Sequence, residues 1–140
     1  MQNQVLHFAY LATHYTVLQN PPWRLRIDNA NPELINCYQK FRCSSCAFIS
    51  AFNPQSKMQP YSVNQLAQHQ LIRMVESNGW NWLSGSAKAI DGTWPAEDNL
   101  LIMGITLAES YCLAKKLNQK AFIFCDQNTI ARLIYTDDQT

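Results

Sequence analysis

The residues best placed to do chemistry sit in two polar stretches. The first, Asn53-Pro54-Gln55-Ser56, stands where the apolar run "CAFISAF" stops and a helical pattern begins. Its ordinary reading is a turn, because asparagine tolerates left-handed backbone angles and proline forbids strand continuation. Its functional reading is the edge of a binding site, since strand ends beside helix starts collect ligands. Asn64 falls in the first turn of the following helix, where its amide could face the same opening. The second stretch, "DGTWPAED", sets Asp91, Glu97 and Asp98 around the indole of Trp94. Paired carboxylates bind magnesium, or divide acid and base duties when their surroundings separate their pKa values. Trp94 either anchors its loop to the core or offers a stacking face to a ligand.

Other reactive residues form weaker sets. Cys43 and Cys46 precede a strand, whereas a thioredoxin-type pair opens a helix whose dipole lowers the thiol pKa. Zinc needs a further close Cys/His pair beyond Cys37, Cys43 and Cys46, and the sequence has none. Cys112 and Cys125 read as core or near-core thiols. His7, His14 and His69 form no recognisable triad, and His69 falls on the wet face of its helix. Arg24 and Arg26 share one strand face as a small basic spot, and Lys115, Lys116 and Lys120 surround a helix end, where cations complement the dipole. Four glycines, none in a phosphate-loop pattern, argue against a nucleotide cradle.

The elements that must position these residues belong to one domain spanning 1–140. With 11 basic and 10 acidic side chains, the chain lacks the basic excess of a generic nucleic-acid binder. No apolar run approaches the roughly 20 residues that span a bilayer, and the N-terminus lacks the form of a signal peptide. Five cysteines without regular spacing suit a cytoplasmic protein with reduced thiols.

Val5, Phe8, Ala9 and Ala12 recur at helical spacing in "QVLHFAYLATHY". "WRLRI" alternates as a strand, and "NPELINCYQKF" opens a helix with Asn31 as cap and Pro32 in the first turn. "AFISAF" is a strand. Ser62 and Gln65 have capping-box spacing, and Val63, Leu66, Ala67, Leu71, Met74 and Val75 form the apolar face of the helix they open. "WNWLSGSAKAI" reads as a strand or an irregular hairpin arm and "NLLIMGI" as a strand, on either side of the Trp94 loop. Thr106 and Glu109 form a second capping box, and "AFIFC" and "IARLIY" close the chain as strands. The fold class expected is α+β: a mixed, mainly antiparallel sheet with packed helices in a split βαβ, ferredoxin-like outline. An extra helix and strand precede that unit and one strand follows it.

Several of these stretches taken together resemble a bacterial family known as domain of unknown function 3293. The resemblance lies in "YLATHY" (Tyr10, Thr13, Tyr15), "FISAFNPQS", "SVNQL" (Asn64), "DGTWPAED" (Trp94, Glu97) and "NQKAFIF" (Gln119, Ala121). Ser50 stands where threonine is commoner in the family pattern, and Lys120 interrupts its Gln-Asn-Ala. The resemblance implies no activity and no cofactor. It does mark which polar residues belong together.

The expected function is a ligand- or partner-binding domain with a polar site formed by Asn53, Ser56, Asn64, Trp94 and Glu97, with Tyr10 or Tyr15 near it. Its partner is a small molecule or a protein, with no metal or cofactor, no membrane and no generic nucleic acid. One alternative is an enzyme acting on a small polar or phosphorylated substrate through Glu97 or Asp91. The other is a dimeric interaction module using exposed aromatics.

Overall fold

In a computed structural model that describes residues 4–136, the elements run α1 (Gln4–Leu11), β1 (Thr13–Val17), β2 (Trp23–Leu25), α2 (Glu33–Phe41), β3 (Cys46–Ile49), a 3-10 turn (Pro54–Ser56), α3 (Tyr61–Ser77), β4 (Asn81–Ala89), β5 (Glu97–Met103), α4 (Leu107–Lys116), β6 (Ala121–Cys125) and β7 (Ala131–Tyr135). They build a seven-stranded sheet in the order β2-β1-β4-β5-β3-β6-β7, with every strand pairing antiparallel. The inner four strands, β4-β5-β3-β6, with α3 and α4 as connections, are the split βαβ unit expected from the sequence. β1 and β2 extend one edge of that unit and β7 the other.

The sheet curls until its two ends meet. Past β2, Ile27 bridges Ala131 and Ala30 bridges Ile130. Asn31, fully buried, pins that closure. Its Oδ1 accepts the Arg26 N–H at 2.8 Å, and its Nδ2 donates to the carbonyls of Asn29 (2.9 Å), Arg26 (3.2 Å) and Thr129 (3.2 Å). The sequence pattern makes Asn31 the cap of α2, but its side chain makes no capping bond. The backbone groups exposed by the strand crossing need partners more than the helix end does.

Two cores result, one on each face of the sheet. The convex face packs Ala47, Ile49, Leu100, Ile102 and Phe122 under Leu71 and Val75 of α3 and Leu113 and Ala114 of α4. The concave face packs Val17, Leu25, Cys46, Leu101, Met103 and Cys125 under Leu34, Cys37 and Tyr38 of α2. Strands covered on both faces read as continuous apolar runs, which explains "CAFI" and "LLIM".

Some sequence expectations are corrected. The N-terminal helix stops at Leu11, and Thr13–Val17 forms a strand, because β-branched and aromatic residues alternate there and turn Tyr15 and Val17 inward. On α1, Val5 and Phe8 are 77% and 65% exposed, and the half-buried residues are Leu6, His7 and Tyr10. On α3, Val63 and Leu66 are exposed, and the buried row is Asn64, Gln68, Leu71 and Val75. The reason is local: Asn64 Oδ1 and Gln68 Oε1 accept the buried backbone N–H groups of Asn53 (2.9 Å) and Ala51 (3.0 Å) just past β3. The first capping box does not form. Pro60 occupies the cap, so Ser62 already lies inside the helix, and Gln65 reaches Tyr61 and Asp98 instead. The Thr106/Glu109 box does form. Cys112 is exposed rather than near-core.

Candidate functional site

α2 fills only one end of the concave trough. At the other end the inward side chains are small or polar. β4 contributes Ala87 and Ala89, β5 contributes Glu97 and Asn99, and β6 contributes Ala121. Direct antiparallel partners share a face, so the pairs Ala87–Glu97, Gly85–Asn99 and Tyr15–Ala87 all look into the same space. Missing side-chain volume leaves a cavity of about 380 Å³, roofed by Leu6, Ala9 and Tyr10 of α1. Phe48, Ile123 and Leu133 form its apolar floor, and Ser50, Asn53, Trp94, Glu97, Asn99 and Gln119 its polar end.

The polar end is a connected network. Glu97 Oε2 accepts the Asn53 amide N–H and the Trp94 indole N–H, each at 2.8 Å. Asn53 Oδ1 in turn accepts the Gln59 backbone N–H (3.0 Å) and the Asn64 amide (2.9 Å). Asn64 also accepts from the Gln59 side chain at 2.7 Å. Asn53, Gln55 and Ser56 all have positive φ, 48°, 59° and 59°. Such non-glycine conformations persist only where their surroundings over-determine them, and they cluster at functional sites. The turn is held from outside by Asn118, whose carbonyl accepts the Gln55 N–H at 2.8 Å, and by Gln119, whose amide donates to the Phe52 carbonyl at 2.8 Å.

Of the expected site residues, Asn53, Ser56, Trp94, Glu97, Tyr10 and Tyr15 all line this cavity. Asn64 does not reach it and instead stands behind Asn53, holding it. The Tyr15 hydroxyl donates to the Tyr10 carbonyl at 2.6 Å, and its ring meets Phe48 edge-on. Burial pushes the Tyr15 hydroxyl pKa upward, with Tyr10, Tyr135 and Glu97 adding to the rise, so it stays neutral in the physiological range. Asp91 sits on the rim, where the Thr93 N–H and hydroxyl hold its carboxyl below the usual range. Trp94 therefore both ties its loop to Glu97 and walls the cavity.

Sequence reasoning missed Asn99 as a site residue. The strand period counted from Glu97 places it on the same face. It is hidden inside an apolar-looking run.

The remaining reactive groups lie elsewhere. Arg26 pairs with Glu33 at 3.6 Å, and Arg24 touches His14. Cys46 faces Cys125 across the β3–β6 ladder, and burial together with that neighbouring thiol raises its pKa well above the usual range. Among the described residues no three His, Cys, Asp or Glu side chains converge as metal ligands. None of their helices is long and apolar enough to cross a membrane.

Residues 49–122, more than half of the chain, match the sequence profile of a family described as "Protein of unknown function (DUF3293)". The chain belongs to that family. No curated protein and no solved structure matches it. The matched segment of this DUF3293 member runs from the end of β3 to β6 and contains every polar side chain of the cavity's network.

Proposed function

We propose that this DUF3293 member binds a small organic molecule in the cavity between α1 and the concave face of the sheet. One observation carries the reading. The side chains behind the family resemblance, from the Tyr10–Tyr15 stretch through Asn53 and Trp94–Glu97 to Gln119–Ala121, are far apart in sequence yet line one cavity. Its volume lies in the range of small-molecule sites, and an apolar lining with a few convergent polar groups is the usual composition of such sites. The strained Asn53–Ser56 turn adds support, because stability alone gives no reason to keep three positive-φ residues together.

In this reading Asn53 orients Glu97, Trp94 supplies a flat wall, and Asn64 acts by fixing Asn53. A cytoplasmic setting fits cysteines that are all unpaired. An enzymatic role would draw on Glu97 and Asp91 in the same cavity. A phosphorylated substrate would find no lysine, arginine or histidine among the lining residues.

Native mass spectrometry of protein isolated without denaturation tests the proposal. The expected result is extra mass from a small organic molecule, retained from the cell or taken up from a small-molecule extract, and absent from an Ala87→Leu variant whose cavity is filled. A protein that stays bare under both conditions contradicts it.

A further inference from the structure

The geometry points to the class of that molecule: a compound that presents a protonated amine or guanidinium to Glu97 and Asn99 and lays an apolar body on Phe48, Ile123 and Leu133. The inference rests on the cavity being a binding site and names what it takes.

Much of the wall already uses its hydroxyl and indole donors inside the protein. The Thr13 hydroxyl donates to the Ala9 carbonyl (2.7 Å), Tyr15 to the Tyr10 carbonyl (2.6 Å), Ser50 to the Asp98 carbonyl (2.6 Å) and the Trp94 indole to Glu97 (2.8 Å). Three acceptors remain open, beside the Ser56 hydroxyl and the second amide hydrogens of Asn99 and Gln119. Both donors to Glu97 converge on Oε2, so Oε1 takes no hydrogen bond among the described residues. Asn99 is 6% exposed, donates through Nδ2 to the Glu97 carbonyl at 3.2 Å, and has no partner on Oδ1 among the described residues. Gln119 is arranged in the same way, with Nε2 on the Phe52 carbonyl and Oε1 without a partner among them.

None of the three is sealed from solvent, so a ligand that donates to several of them exchanges separate hydrogen bonds to water for bonds gathered in one site, and those to the charged Glu97 contribute most. Charge selects further. Asp91 and Glu97 are the ionisable acids of the lining, and no basic residue stands with them. A carboxylate behind a partly apolar wall calls for a counter-charge. The Trp94 face beside it favours a cation through the ring quadrupole. An anion of the same shape would meet the like charge of Glu97 and Asp91.

The test is an NMR titration that follows the Trp94 indole N–H, assigned by its loss in Trp94→Phe. The probes carry phenethyl, cyclohexylethyl or n-hexyl bodies, each ending in an ammonium, an alcohol or a carboxylate. The expected result is that ammonium compounds shift the resonance and bind about ten- to a hundredfold more tightly than the matched alcohols, the range expected for one charge-assisted hydrogen bond. Carboxylates should be weakest, and Glu97→Gln, checked for folding by its melting curve, should erase the ammonium preference. Alcohols or carboxylates that match the amines would overturn the cation assignment and leave the binding cavity standing. No response to any head group on any body would overturn both. Because the head-group series is run on the native protein, its outcome does not depend on whether the variant folds.

Discussion

Replacing Asn53 with alanine measures how much the buried turn between β3 and α3 contributes to stability. The Asn53 side chain is 4% exposed and makes three hydrogen bonds, to the Gln59 N–H, the Asn64 amide and Glu97. Truncation leaves buried donors on Gln59 and Asn64 without their acceptor, a loss of about 1–3 kcal/mol. Alanine must also hold a left-handed conformation, φ 48° and ψ 62°, at a cost of roughly 1 kcal/mol. The sum is about 3 kcal/mol, a large share of the roughly 5–15 kcal/mol that stabilises a typical domain. Urea denaturation should show the midpoint falling with an unchanged slope. Asn53→Gly should recover about 1 kcal/mol of the loss, because glycine accepts the backbone angles but restores no bond. An alanine variant within about 0.5 kcal/mol of the native protein, the range of ordinary surface changes, would refute the reasoning.

Gly85→Ala should lose about 1–3 kcal/mol through overpacking, since its new Cβ would lie 2.3 Å and 2.6 Å from two Phe48 ring atoms. Adding Phe48→Leu should relieve part of that loss in a double-mutant melt, and no relief would place the strain elsewhere. Gln68→Leu, although more apolar, should destabilise by about 1–3 kcal/mol because it orphans the buried Ala51 N–H. A neutral or stabilising result in urea would contradict that assignment. Burial raises the folded-state pKa values of the Cys46 thiol and the Tyr15 and Tyr38 hydroxyls. Their contribution is therefore complete below the unfolded values, about 8.5 for cysteine and 10 for tyrosine, and is lost as pH rises past them. Stability should fall from about pH 8.5 upward, steepening above about 10 by roughly 1.4 kcal/mol per pH unit for each group. A flat urea midpoint between about pH 8 and 11 would contradict this.

Much of the fold was legible because local chemistry and tertiary packing agree there. "CAFI", "LLIM" and "AFIFC" are apolar on both faces of a covered sheet, and Thr106–Glu109 caps α4 as its spacing requires. Legibility failed where a buried polar side chain serves the backbone. Asn64 and Gln68 took the inward row of α3 from Val63 and Leu66, and Asn31 left its cap to pin the closing ends of the sheet. The Asn53–Trp94–Glu97 grouping followed from residue type and resemblance. Their convergence depends on the β4–β5 register and the curl of the sheet, which no local pattern encodes. Asn99 stayed hidden because a period-two reading of "EDNLLIM" gives way to a continuous apolar run after it. The cavity itself is written in what is missing, the small side chains of Ala87, Ala89 and Ala121, and small residues carry no signal of what they leave open.

The most direct test of the binding account is to follow the Trp94 indole N–H by NMR while a diverse small-molecule library is titrated into the native protein and into Ala87→Leu. The account predicts compounds that move the resonance in the native protein and leave it unmoved once the cavity is filled. A resonance that nothing moves, or that moves equally in both proteins, would contradict it.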